Sequence, residues 1–221
     1  MTQMPVITPL TSKAEIATAM RLLAEQIPEV KYDRIGHDDE RTTRACRTFL
    51  RGVVAPMVGE KDAVMVPHIW IGAVDEGRMV GAVHAAADTR LAYSHIRAHA
   101  RGVDGAGIPP WIHRLLNVTA SVEEIAVEPG ARGSGVGRAL LDRVHAHLRE
   151  HRVPGPWGEE RAIHTWAATA AHPLFESAGY IVARPHQPVP PEYVGGAPLL
   201  WDPEYDDRDG AHCYGFLSDL S

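Results

Sequence analysis

Apolar positions along this chain follow two rhythms, and the points where one gives way to the other mark the expected elements. Residues 4–8 suit a short first strand. Ser12 and Glu15 then stand at capping-box spacing, and Ile16, Met20, Leu22 and Leu23 follow at helical intervals until Pro28. A second helix is predicted over 39–57, with Ala45, Phe49, Leu50 and Val53 on its apolar side. Residues 68–74 and 78–86 flank the turn-like Asp75, Glu76 and Gly77, which predicts a hairpin.

The rhythm is lost over 89–117, where Leu91, Ile96, Ile108, Trp111, Ile112 and Leu115 are scattered among Gly and Pro. One or two short helices within a long excursion are expected there, and excursions of that length often carry function. A strand returns at 122–127, and a helix follows over 134–151 with Leu140, Leu141, Val144 and Leu148 as its buried stripe. Beyond the breaker at 153–156 come a strand at 162–166 and a helix from about 170 to 178 that stops at Gly179. A strand at 180–183, a Pro-rich loop at 185–203 and a last strand at 211–217 complete the chain, with no internal repeat.

The bulk properties narrow the class. A chain of 221 residues can bury a good core and is expected to form one domain. Its net charge of −6 and pI near 6.1 argue against nucleic acid as a partner and lean mildly toward a cationic substrate. No stretch has the make-up of a secretory signal, and no apolar run approaches the roughly 18–20 residues of a membrane span. Cys46 and Cys213 lie far apart without a CxxC pair, so two buried structural thiols are expected. A cytoplasmic protein with no membrane association follows from these features.

The chemistry concentrates in residues 122–141. A strand runs into a loop with glycines at 133, 135 and 137, and a helix starts within that loop. Such a loop aims several backbone N–H groups at one point, where the positive end of the helix also lies. Glycines let a phosphate approach the backbone closely, and Arg132 and Arg138 add positive charge at the edges. The segment therefore suits a pyrophosphate. A Walker A loop would end in Gly-Lys-Ser/Thr, whereas this one has Gly137, Arg138 and Ala139. A dinucleotide fingerprint would need G-x-G-x-x-G early in the chain, and the spacing here is G-x-G-x-G, late.

The pattern that does fit is R/Q-x-x-G-x-G/A, here Arg132, Gly133, Ser134, Gly135, Val136 and Gly137. Ile125, Ala126, Val127 and Pro129 precede it, and Ala139, Leu140 and Leu141 follow. This stretch resembles motif A of the Gcn5-related N-acetyltransferase superfamily. Residues 174–180 (Leu-Phe-Glu-Ser-Ala-Gly-Tyr) are similar to that family's L-Y-E-x-x-G-F helix end. The resemblance implies an α/β fold with a central mixed, mostly antiparallel sheet, splayed parallel strands 4 and 5, and flanking helices. It covers residues 122–183 closely and the earlier part by element order. One domain over 1–221 is expected, with an inserted substrate-side segment at about 88–118.

What the resemblance implies for chemistry is acetyl transfer from acetyl-CoA, a co-substrate, to a primary amine by direct attack, without a metal. The pantetheine arm would pair with the backbones of Ile125 and Val127, with Ala126 between them, and the diphosphate would lie over Arg132–Arg138. The reaction needs a base for the amine's proton and donors for the developing oxyanion. Glu123 and Glu124 stand beside the expected thioester on opposite faces of a regular strand, so only one can face the substrate. Glu124 is preferred, Glu123 is second and His164 third, while solvated strand-end carboxylates are the plain alternative. A small-molecule amine is the preferred acceptor, and a homodimer accords with the family's habit.

Two positions depart from the family pattern. Phe175 stands where many members carry a Tyr that protonates the leaving thiolate, and Ala168 stands where many carry an Asn. Ser177, Tyr180, Tyr193 and Tyr214 are the candidate replacements for the acid. These departures keep open a non-catalytic acyl-CoA sensing module, and the loop alone leaves room for an ATP- or NAD-dependent transferase. Among thirteen histidines, His95 and His99, and His145, His147 and His151, share helical spacing without metal-site companions, so solvent-facing positions are expected. The acidic run 202–209 is expected to be a solvated loop, and Trp111 either walls an acceptor pocket or anchors its segment.

Overall fold

A computed structural model describes residues 4–27, 42–58, 65–89, 92–93, 96, 111–150, 161–185, 187–194, 196 and 209–220. Seven strands form one mixed sheet: β1 (Val6–Pro9), β2 (Ile69–Asp75), β3 (Arg78–Ala86), β4 (Thr119–Val127), β5 (Ala162–Ala168), β6 (Ile181–Val182) and β7 (Gly210–Phe216). Their order across the sheet is β1-β2-β3-β4-β5-β7-β6, and every neighbouring pair is antiparallel except β4 and β5. The exception decides the shape of the site. The β4–β5 ladder has only three rungs, Thr119↔Ala162, Ala120↔Ile163 and Ser121↔His164, although both strands continue well past them. The Thr165 hydroxyl donates to the Val122 carbonyl at 2.7 Å, one step beyond the last rung. Above that bond the two strands have no paired residues, leaving a fork that opens toward the C-terminal end of β4.

Helices cover both faces. On one, α1 (Lys13–Gln26) packs Ala19, Leu22 and Leu23 with Leu10, Ala82 and Ala126. Its start is fixed by a full capping box: the Ser12 hydroxyl accepts from the Glu15 N–H, and the Glu15 carboxylate accepts from the Ser12 N–H at 3.0 Å. Those Ser12 bonds hold the Glu15 carboxyl below its ordinary pKa. A helix over 42–49 continues through a π-helical turn, Leu50–Val54, into Ala55–Val58, and these together are α2. On the other face, α4 (Val136–Glu150) lays Val136, Leu140, Leu141, Val144 and Leu148 into the main core with Ile71, Val83, Ala120 and Ile163.

Two further helices among the described residues are α3 (Trp111–Val118), which runs straight into β4, and α5 (His172–Ser177), entered through a 3-10 turn at Thr169–Ala171. The expected hairpin is present, with Glu76 and Gly77 both at positive φ (48° and 80°), the pair a two-residue type I′ connection requires. Three expected boundaries shift. β4 begins at Thr119 rather than 122, and β5 continues to Ala168. The helix placed at 134 starts at Val136, because Gly133 and Gly135 sit at φ +76° and +88°, outside helical space. Within the excursion at 89–117, the described residues 89, 92, 93 and 96 are helical and a further helix starts at Trp111, which packs against the main core as an anchor. Among the described residues no helix is long and apolar enough to cross a membrane.

Candidate active site

The glycine loop is a backbone construction. Pro129–Ala131 makes a 3-10 turn, Arg132–Gly135 turns again, and α4 starts at Val136. Its first intrahelical bond is from the Ala139 N–H to the Gly135 carbonyl (3.0 Å), so the amides of Val136, Gly137 and Arg138 precede the helical ladder. Gly133 and Gly135 are exposed, and a Cβ on Gly133 would meet no atom within 4 Å. The loop's outer surface is thus open to an anion, and the backbone conformation at both positions excludes ordinary side chains. Gly137 faces inward, where a Cβ would stand 3.4 Å from Leu174.

The two arginines are tied into this frame. Arg132 donates through Nε to the Val127 carbonyl (2.9 Å) and through Nη2 to Gln26 Oε1 (3.0 Å), joining loop, strand end and α1. Arg138 pairs with Asp142 (2.7 Å) and donates to the Ser177 carbonyl, joining α4 to α5. The Ser134 hydroxyl donates to the Ala131 carbonyl at 2.7 Å, which closes the turn. Side chains therefore hold the loop in shape by bonding carbonyls and carboxylates of the protein.

At the fork itself the sheet carries a different kind of site. The β3–β4 register pairs His84 with Glu124 and Ala85 with Val122, so Glu123 is an extra residue in a β-bulge. The alternation expected of Glu123 and Glu124 on a regular strand therefore does not apply. Glu124 shares the α1 side of the sheet with its registered partner His84, whose Nδ1 lies 2.9 Å from Glu124 Oε2. His84 Nε2 lies 3.0 Å from His68 Nδ1, and the Thr43 hydroxyl of α2 lies 3.5 Å from His68 Nε2. Trp70 stacks on the His84 ring at 4.0 Å with 9° between planes. Both pair members are nearly covered, with side-chain exposures of 4% for His84 and 10% for Glu124.

The same side continues across the fork. His164, level with Ser121 on β4, is buried and lies 3.7 Å from Asp88, which follows β3. Tyr214 is the registered partner of His164 on β7, and Tyr193 packs against it with tilted rings, centroids 4.6 Å apart. Burial, and after it the Glu192 carboxylate, raise the Tyr214 phenol above its ordinary pKa. A row of polar and aromatic groups thus runs from Thr43 to Tyr193 beneath the fork.

Of the other sequence candidates, Phe175 and Tyr180 fall in the core, whereas Ser177 and Ala168 are exposed. Phe175 is 1% exposed and meets Tyr180 edge-on at 5.2 Å. The Tyr180 hydroxyl is 2.9 Å from His145 Nε2, and burial raises its pKa well above the usual value. His145, expected to face solvent, is fully buried, because its place on α4 points to the β6–β7 end of the core. Ser177 donates to the Leu174 carbonyl. Ala168 closes β5 ahead of the 3-10 turn. Both cysteines are free and buried, and burial pushes the Cys213 thiol up to about 12. His95, His99, His151 and most of the acidic run lie outside the described residues, and among the described residues no metal-ion group is formed.

His68 and His84 were not singled out by the sequence. A bulge at Val80 shifts the β2–β3 register between Ala73 and Val74, so the turn at Glu76 and Gly77 by itself would set Ile69, not Trp70, opposite His84. The pairing of His84 with Glu124 spans the whole excursion and left no local trace.

A family profile described as an acetyltransferase (GNAT) domain matches residues 67–182, just over half of the chain. No curated protein matches the chain in sequence. Among solved structures, distant likenesses include Gcn5 from Tetrahymena, at 14% identity, 95% of each chain and a TM-score of 0.48. A Corynebacterium glutamicum protein described as histone acetyltransferase HPA2 and related acetyltransferase has 18% identity, 96% of each chain and a TM-score of 0.46. The ribosomal-protein-S18-alanine N-acetyltransferase of Escherichia coli has 15% identity over 96% of this chain and 91% of its own, at 0.46.

Proposed function

The chain belongs to the GNAT acetyltransferase family and is an acyltransferase, and from that premise we propose that it moves the acetyl group of acetyl-CoA to the primary amine of a small molecule. The observation that carries this reading is the fork. The parallel ladder stops after Ser121 and His164, the Glu124 carboxylate stands just above that point, and the open glycine loop follows on the same strand.

The residues fit the co-substrate. The backbones of Ile125 and Val127 lie on the unpaired part of β4, with Ala126 packed between them on α1. The amides of Gly133 to Arg138 offer donors for a diphosphate, with Arg132 and Arg138 shaping the cradle around them. Bound there, acetyl-CoA supplies an activated thioester. Glu124 takes the proton that the acceptor ammonium must lose before its nitrogen can attack. A backbone N–H of the fork stabilises the oxyanion. With Phe175 sealed in the core, we assign the acid side of the site to Tyr214, which is registered to His164 on the Glu124 side of the sheet.

A small acceptor suits the covered setting of Glu124 and the wall of aromatic groups opposite it. We further take residues 1–221 as one domain with a substrate-side insertion at about 88–118. One core cluster unites Cys46, Ile112, Leu140, Phe175 and Leu220, which supports that division. Thiol release from acetyl-CoA with a panel of polyamines, amino acids, aminoglycosides and arylamines tests the proposal. Acceptor-dependent turnover supports it. Tight CoA binding with no turnover on any amine, small or peptide, would replace it with a sensing role.

A further inference from the structure

The Glu124, His84 and His68 side chains come from three adjacent strands or their ends and stand in one line, each within 3.0 Å of the next. Their protonation is constrained by what each atom can do. An ionised carboxylate only accepts, so the His84 nitrogen facing Glu124, Nδ1, must carry a hydrogen. A neutral imidazole then has a bare Nε2, and that atom needs a donor. His68 Nδ1 stands at 3.0 Å to provide one. The Thr43 hydroxyl, at 3.5 Å, lies on the donor side of the bare His68 Nε2 that results. Trp70 stacked on His84 fixes the plane of the ring, so rotation out of line would break the stack as well as two hydrogen bonds.

We propose that His68 and His84 form a tautomer lock whose role is to aim Glu124, making both of them positioning residues for the reaction. The inference rests on Glu124 as the proton acceptor, as argued above. His84 occupies one carboxylate oxygen, Oε2, and so fixes Oε1 as the atom that receives the amine's proton. In that step an N–H bond of the acceptor ammonium breaks, an O–H bond forms at Oε1, and the nitrogen keeps the electron pair. His84 keeps its own hydrogen throughout. His68 never meets the substrate; it decides which nitrogen of His84 is protonated. The β3–β4 bulge belongs to the same device, since the register step beside Glu123 keeps Glu124 level with His84.

The test separates donors from acceptors of equal size. Asn at position 68 offers an N–H to His84 Nε2, whereas Asp offers only a carboxylate oxygen and forces Nε2 to carry a hydrogen. His68→Asn should hold kcat within about threefold of wild type. His68→Asp should lower kcat at least about tenfold, a part of the 10²–10⁴ that a placed base contributes, with KM for acetyl-CoA unchanged. A purely structural role for His68 would move both variants alike, and that outcome overturns the proposal. Nitrogen-15 NMR of the wild-type imidazoles at neutral pH provides a readout independent of turnover and of variant folding. Protonated Nδ1 with bare Nε2 on His84 supports the lock, and the opposite tautomer overturns it. If Glu124→Gln keeps full kcat while the spectrum shows the expected tautomer, the base assignment fails and the aiming role fails with it. An unexpected tautomer alongside an inactive Glu124→Gln enzyme removes the lock alone.

Discussion

The glycine loop and the Glu124 side of the fork sit within one strand's length of each other and are built on opposite principles. The loop offers backbone amides, shaped by two positive-φ glycines, and its arginines are spent on holding carbonyls and carboxylates of the protein. The fork offers side chains, each oriented by a neighbour from another strand. A backbone cradle recognises a group common to all its substrates and tolerates change around it. A side-chain row is specific to one proton and one acceptor, and a single altered donor disturbs it. On the proposed reading, affinity for the co-substrate belongs to the loop and rate to the fork.

That division can be broken experimentally, and the largest effect is expected at the fork. Glu124→Gln should lower kcat by about 10²–10⁴ while leaving the Kd for acetyl-CoA in place; equal losses in both would dissolve the division. Next in size is Phe175→Tyr. Its hydroxyl would enter a core position that is 1% exposed, so a loss of about 1–3 kcal/mol of stability is expected with no gain in kcat. Thermal melting and steady-state rates check both parts, and a faster enzyme would show that this position reaches the thioester after all. Gly135→Ala, at φ +88°, imposes left-handed strain of about 1–2 kcal/mol. Acetyl-CoA affinity should fall about tenfold, equivalent to 1.4 kcal/mol, with kcat at saturation little changed, as calorimetry and kinetics can show. The smallest effect is expected remote from both regions: Ser12→Ala removes the α1 cap, costing about 1 kcal/mol of stability and no activity.

Legibility followed the same line. The loop, the capping box, the hairpin turn and the α4 stripe are set by residues close in sequence, so spacing and periodicity revealed them. Leu140, Leu141, Val144 and Leu148 all fall in the core as their spacing required. His84 and Glu124 are 40 positions apart, and their pairing depends on how β3 and β4 meet after a long excursion. A bulge at Glu123 adds one residue to the register, a shift that alternation alone cannot anticipate. His145 misled for a related reason: its helix is amphipathic, but the β6–β7 end of the sheet extends the buried stripe to include it. The cysteines were read correctly as buried thiols because their isolation needed no partner to interpret.

The central claim is that the loop after β4 holds the diphosphate of acetyl-CoA. Calorimetric titration of the wild-type protein with acetyl-CoA, with ATP and NAD as controls, tests it most directly. The account predicts saturable single-site binding of acetyl-CoA and no comparable heat from either nucleotide. Failure of acetyl-CoA to bind, or equal binding of ATP, would contradict it.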